Sequence, residues 1–325
     1  MRYVRLPETN LNVSVISLGV AAHGTQVNEP DSFSLFDTYL EQGGNFFDTA
    51  HIYAAWVEGG WGEPERLLGR WVKQRNNRDK VVIATKGGHP HLNSMHQSRL
   101  SRAEILQDLD ESLERLQMES VDVYWLHRDD VNRPIADIAE TLQIAISSKK
   151  IRFFGVSNWS FFRIRELKAN LAAQNLTGFV GSQIGWSLAQ RNPNVGGDPT
   201  VQFMDSETLS YHRESGIFVA AYSSQANGFF AGAYGREIPN PTPKSGRSVV
   251  HSYYRESNFQ RLDRAKQLGE KYGVSANSIA LAYITSQSFP ASAIVSCPTS
   301  EYLSATLSAG DTQLTPEECD WLLQG

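Results

Sequence analysis

The stretch Asn45-Phe46-Phe47-Asp48-Thr49-Ala50-His51-Ile52-Tyr53 reads as a short apolar strand that ends in an aspartate, followed by a turn that delivers a tyrosine. Two later stretches repeat the pattern. Val81-Val82-Ile83-Ala84-Thr85-Lys86 ends at a lysine, and Val121-Asp122-Val123-Tyr124-Trp125-Leu126-His127 ends at a histidine. Short strands that are mostly apolar on both alternations belong to a sheet covered on both faces, which is the habit of parallel sheets. If these strands are parallel neighbours they finish at one edge, and an acid, a phenol, an ammonium and an imidazole converge there.

Outward from this centre the chain alternates. Residues 2–6 and 13–16 bracket Pro7-Glu8-Thr9-Asn10 and predict a small hairpin. Strands are expected at 15–21, 45–50, 81–86, 121–127, 151–156, 179–184, 217–222 and 291–296, each followed by at least one helix. Asp31 is the expected N-cap of the first helix, and Ser101-Arg102-Ala103-Glu104 is a capping box opening the third. Eight such units predict an α/β protein, a (β/α)8 TIM barrel with an N-terminal β-hairpin, as a single domain over 1–325. An open doubly wound sheet would need a Gly-rich phosphate loop after an early strand. Ser17-Leu18-Gly19-Val20-Ala21-Ala22-His23-Gly24 has too few glycines at the wrong spacing. The longest irregular segments, 89–100, 188–204 and 225–258, all follow strands, which places them on the C-terminal rim of a barrel.

The composition is that of an ordinary globular chain, with 41% hydrophobic and 20% charged residues among 325. A net charge of −5 gives no attraction to nucleic acid or an anionic membrane. No run of ~18 apolar residues occurs, and the N-terminus shows no apolar leader, so neither a membrane span nor a signal peptide is expected. Cys297 and Cys319 have neither zinc nor CxxC spacing and suit a reducing compartment, so the expected location is cytoplasmic and the expected partner a small molecule.

A phenol titrates near ~10 in water and serves as a general acid near neutral pH when a cation lies close. Lys86 can supply that cation, Asp48 can hold Lys86, and His127 can point at a carbonyl oxygen and share its developing charge. The set suits protonation of an alkoxide as a carbonyl is reduced. Singly, each residue has a plainer use: Asp48 as a cap, Tyr53 as a half-buried aromatic, Lys86 as a solvent charge, His127 as a structural histidine. Their position at three successive strand ends favours a site. Pairing Asp48 with Asp129 or Asp130 for hydrolysis would leave Tyr53 and Lys86 without roles.

The chain resembles the aldo-keto reductases, which are NAD(P)H-dependent carbonyl reductases on a (β/α)8 barrel. The resemblance is carried by Asn45–Ala50 with Tyr53, Gly62-Glu63-Pro64-Glu65-Arg66-Leu67-Leu68-Gly69, Thr85-Lys86, Leu126-His127-Arg128, Gly155-Val156-Ser157-Asn158, Ser182-Gln183 and Ala221-Tyr222-Ser223, in family order. It implies a catalytic tetrad of Asp48, Tyr53, Lys86 and His127, with Tyr53 as proton donor in reduction. It also implies that Ser157, Asn158 and Gln183 hold the nicotinamide carboxamide, beside Asp48 and Ala21. Tyr222 would stack on the ring, and Ser223, Ser224 and Asn227 would approach the pyrophosphate. The adenosine end falls on Ser296, Pro298, Thr299, Tyr302 and Thr306, with Arg247 and Lys244 within reach. Here the sequence departs from the family. The run Ser296-Cys297-Pro298-Thr299-Ser300-Glu301-Tyr302 lacks the usual cation for a 2′-phosphate, and Glu301 opposes one. The cofactor is therefore NADP or NAD, with family habit favouring NADP. Trp56, His89, His91 and Trp186 are the expected substrate contacts, with His96 nearby and no metal expected. Gly325 follows soon after the last helix, which predicts an open pocket and a sugar, cyclitol or other polyhydroxylated substrate. The potassium-channel β-subunits, which resemble this family, supply a binding-only alternative.

Overall fold

The computed structural model describes residues 1–193, 195, 197–238 and 246–324, the last segment without the side chains of 246–248. Strands β1 (Tyr3–Arg5) and β2 (Asn12–Ser14) form the antiparallel hairpin, with Val4 opposite Val13. Eight parallel strands then close into a barrel: β3 (Ile16–Gly19), β4 (Phe46–Asp48), β5 (Val82–Gly87), β6 (Val121–Leu126), β7 (Ile151–Ser157), β8 (Phe179–Gly185), β9 (Phe218–Tyr222) and β10 (Ala291–Val295). They pair in chain order, and β10 closes on β3. The helices that follow them are α1 (Glu29–Glu41), α2 (Glu63–Arg75), α3 (Arg102–Leu116), α4 (Ile135–Ser147), α5 (Phe161–Ala173), α6 (Ser206–Ser215), α7 (Gly246–Tyr253), α8 (Glu256–Tyr272), α9 (Ala276–Thr285), α10 (Ser300–Leu307) and α11 (Pro316–Leu323).

Strand alternation decides which side chains reach the site. Side chains two apart on a strand share a face. On β4, Phe47 points outward to Phe36 of α1 and Trp71 of α2, with ring centroids 5.5 and 5.1 Å away. Phe46 points inward, and Asp48 therefore does too. Val82 and Ala84 line the interior of β5 and put Lys86 on the same face, while Val123 and Trp125 do this for His127. The interior below is filled by Phe46, Trp125 and Phe218, and hairpin residues Leu6, Leu11 and Val13 seal it from the N-terminal mouth. Gly155 has no Cβ because the Trp125 ring occupies that place.

Two local expectations are corrected. The N-cap of α1 is Asn28, whose side chain accepts from the Asp31 amide at 2.9 Å. Pro30 lies in the first turn, where a missing N–H costs nothing, so the helix starts before the residue with the stronger capping look. The segment 225–258, read as irregular, contains α7. Its Val249 and Tyr253 are buried, so tertiary packing holds a helix that a Val-Val-His-Ser-Tyr sequence does not advertise. The capping box at Ser101 and Glu104 forms as expected.

Candidate active site

The ends of β4, β5 and β6 bring the four expected groups together at the C-terminal mouth. Lys86, only 1% exposed, donates to Asp48 Oδ1 at 2.5 Å, to the Thr49 carbonyl at 2.7 Å and to the Tyr53 hydroxyl at 2.9 Å. These three bonds use all three ammonium protons. Gln183 donates from Nε2 to Asp48 Oδ2 at 2.8 Å, so both carboxylate oxygens are held. Burial works against the charge on Lys86, but Asp48 and Tyr53 overcome it, and its pKa lies above that of an ordinary lysine.

Tyr53 behaves differently from the sequence expectation. Burial raises its pKa more than Lys86 lowers it, and Asp48 adds to the rise. The ammonium is already compensated by its carboxylate, so it repays only part of the desolvation of a phenolate. The phenol is therefore protonated at neutral pH. His127 is also neutral. Burial first, then His89, Arg128 and Lys86, push its pKa well below the usual imidazole value. Its Nδ1 has no partner among the described residues, and its ring meets Tyr53 and His89 edge-on at 6.0 and 4.7 Å between centroids. A protonated phenol and a neutral imidazole side by side can both donate to one oxygen.

Beside this cluster the amide and hydroxyl groups are unequally free. Asn158 donates from Nδ2 to the His127 carbonyl and to Ser157 Oγ, each at 3.1 Å. Its Oδ1 accepts from the Tyr222 hydroxyl at 2.6 Å and the Gln202 amide at 3.1 Å. Asn158 thus has its full complement of bonds, and a carboxamide there would replace one. Gln183 Oε1 and the Ser157 hydroxyl proton are uncommitted among the described residues. Past β9, Ser223, Ala226 and Asn227 all have left-handed backbone, with φ of 53°, 48° and 54°. Such turns can gather backbone N–H groups around an anion. The Ser224 side chain is buried and donates to the Ile294 carbonyl at 2.6 Å, so its proton is already placed.

At the far end, Thr299 caps α10 by accepting from the Tyr302 amide at 3.4 Å. Ser296, Pro298, Thr299, Glu301 and Tyr302 are exposed, Tyr302 by 60%, whereas Thr306 is buried against Cys297 Sγ. Ala21 is half-buried just beyond β3. Lys244 and the Arg247 side chain lie outside the described residues.

Of the expected substrate contacts, Trp56 is 53% exposed and stands over Tyr53 at 6.2 Å between rings. His89 is buried against His127, while His91 and His96 face solvent. Trp186 is only 5% exposed, stacked on Phe289 and edge-on to Tyr283, and it lines a cavity together with Gly185, Phe203 and Ser223. Arg128 is a rim group that the sequence reading left without a role. It pairs with Asp198 at 2.9 Å, donates to Thr200 Oγ1 at 2.9 Å and reaches the His127 carbonyl at 2.9 Å, tying the loop after β8 to the site. Its place directly after His127 was the available signal. Its partner, 70 residues on, carried none.

The free amide oxygen of Gln183, the Ser157 hydroxyl and the left-handed turn after β9 fit a carboxamide at one end and a pyrophosphate beyond it, as a nicotinamide dinucleotide requires. The sequence profile of the Aldo/keto reductase family matches residues 15–322. An uncharacterised oxidoreductase of Bacillus subtilis, YrpG, is 30% identical, with 98% of this chain and 93% of that protein aligned. The norsolorinic acid reductase stcV of Emericella nidulans is 26% identical over 96% of this chain and 78% of its own length. A probable voltage-gated potassium channel subunit beta of Arabidopsis thaliana is 26% identical over 100% of this chain and 96% of its own. The chain belongs to the aldo/keto reductase family and is an NAD(P)-dependent oxidoreductase.

Proposed function

We propose that this chain interconverts a carbonyl and an alcohol by hydride transfer, with Tyr53 as the proton donor in reduction and the acceptor in oxidation. The observation that carries this reading is the single ammonium of Lys86 bonded to both Asp48 and Tyr53. A bound nicotinamide supplies or takes the hydride. The carbonyl oxygen is held between the Tyr53 hydroxyl and the His127 ring. As negative charge develops on that oxygen, Tyr53 gives up its proton. The phenolate left behind faces Lys86 Nζ at 2.9 Å, where the positive charge repays part of the cost of ionising a buried phenol. Asp48 keeps Lys86 charged and aimed. Gln183 and Ser157 would hold the carboxamide of the nicotinamide, through the amide oxygen and the hydroxyl proton that have no partner among the described residues.

The cofactor is NADP or NAD. The exposed Glu301 in the first turn of α10 opposes a 2′-phosphate, and no cation stands in the Ser296–Tyr302 turn. The mouth is polar, with His89, His127 and Arg128 around Tyr53 and Trp56 open above it. This composition favours a sugar, cyclitol or similar polyhydroxylated compound over an apolar ketone.

Fluorescence titration with NADPH and NADH in parallel, followed by turnover of a panel of aldehydes, keto-sugars and aliphatic ketones, tests the reading. The expected result is tight binding of at least one cofactor and turnover that rises with substrate hydroxylation. Binding without turnover of any carbonyl would move the chain toward a binding-only role. Absence of binding would contradict the reading outright.

A further inference from the structure

The nearest ring to His127 belongs to His89, a residue the proton-transfer scheme does not use. His89 follows the Lys86-Gly87 end of β5 and is 7% exposed. Its segment is pinned from both sides. Asp108 accepts from the Gly88 amide at 2.8 Å and from Arg99 Nη2 at 2.5 Å, while Arg99 Nη1 donates to the His89 carbonyl at 3.2 Å. The ring therefore has a fixed place.

Its protonation is also fixed. Nδ1 lies 2.6 Å from the Pro90 carbonyl, which can only accept, so Nδ1 carries the proton. Burial, together with Arg128, lowers the pKa to about 4, so the ring holds a single proton near neutral pH. Nε2 is then a bare lone pair, and no donor among the described residues meets it. Beside it, 4.7 Å away between centroids, is the ring of His127, which in the proposed reaction donates to the carbonyl oxygen. One imidazole gives a proton and its neighbour can only receive one.

We propose that His89 is a specificity-determining residue that accepts a hydrogen bond through Nε2 from the hydroxyl on the carbon next to the reacting carbonyl, so that the substrate class is the 2-hydroxy carbonyl compounds. The proposal rests on the reductase reading above and narrows it. Buried sites built to hydrogen-bond a hydroxyl discriminate against analogues that lack it, because the site's own polar group is left unpaired.

The test compares kcat/KM for matched aldehydes with the full-length enzyme and the nucleotide it binds. Glycolaldehyde is set against propionaldehyde, which has a methyl in place of the hydroxyl. Methoxyacetaldehyde is set against butyraldehyde, since an ether oxygen has no proton to give. Wild type is expected to favour glycolaldehyde by roughly tenfold or more, the worth of one good buried hydrogen bond, and to show no such preference for the ether. In His89→Leu the glycolaldehyde-to-propionaldehyde ratio should fall toward one, and His89→Asn, which keeps an acceptor oxygen, should recover part of it. Using a ratio cancels losses common to both substrates. Equal preference for hydroxyl and ether, or an unchanged ratio in His89→Leu, would overturn the proposal, and the ether comparison needs no variant to fold. If wild type reduces none of the four, the reductase reading has failed first, and this inference falls with it.

Discussion

The two mouths of the barrel are built from the same strands and do opposite work. On β4, Phe46 packs against Phe218 with ring centroids 6.2 Å apart, under the hairpin residues Leu6 and Val13. Two residues later on the same face, Asp48 is bonded to Lys86 and Gln183. The N-terminal mouth is sealed by apolar burial, the non-directional term that stabilises folds. The C-terminal mouth keeps buried charge that burial alone disfavours, held by bonds that leave Gln183 Oε1 and His127 Nδ1 without partners among the described residues. The contrast teaches that stability and chemistry can be separated along one strand by about 7 Å, two residues of rise. Substitutions at the two ends should therefore fail in different ways.

The largest effect is expected at the upper end. Lys86→Met removes the cation that faces the Tyr53 phenolate and leaves Asp48 buried without its charge partner. Turnover should fall by about a thousandfold or more, and stability by about 3–5 kcal/mol, as when one member of a buried pair is removed. Single-turnover assays and urea melts read the two separately. At the lower end, Leu6→Ala should cost about 2–5 kcal/mol by opening a cavity under the barrel, while kcat per folded molecule stays at the wild-type value. A large kcat loss in Leu6→Ala would break the separation.

A smaller effect concerns pH. His212 is buried on α6, with Nε2 3.2 Å from Ser182 Oγ, and burial lowers its pKa to about 4. The unfolded chain binds a proton there near the ordinary value of 6.5, above the folded one, so this residue's neutral form favours folding above 6.5. That contribution is lost as pH falls from 6.5 to 4. Between pH 7 and pH 5 the loss is about 2 kcal/mol, and His23, with its pKa also lowered to about 4 by burial, adds a loss in the same window. Urea melts at the two pH values should show a shallower dependence in His212→Gln. The smallest effect is expected from Asp198→Ala, which breaks a partly exposed pair with Arg128. It should change stability by about 1 kcal/mol or less and raise KM a few-fold by loosening the loop over the site.

Most of the architecture was legible because strand and helix periods alternate cleanly, and the meeting of Asp48, Tyr53, Lys86 and His127 was legible because polar residues end three apolar strands in succession. The rest depends on contacts that sequence order does not carry. Trp186 follows β8 much as Trp56 follows β4, yet one packs on Phe289 in the core and the other is open above Tyr53. Residue type gives an aromatic no preference between those places. Asn158 and Ser224 read as free ligand donors, but their neighbours Tyr222 and Ile294 already engage them. Arg128 finds Asp198 across 70 residues, a pairing set by loop geometry. The Tyr53 pKa moved opposite to expectation because the sequence shows the cation but not the depth of burial.

The central claim is that the mouth of the barrel transfers a proton through Tyr53. Tyr53→Phe keeps the ring and its packing but removes the hydroxyl that Lys86 bonds at 2.9 Å. Turnover of the best substrate and fluorescence titration with NAD(P)H should be measured on one preparation. The account predicts a loss in kcat of about a hundredfold or more with nucleotide affinity retained within a few-fold. Wild-type turnover in Tyr53→Phe would contradict it.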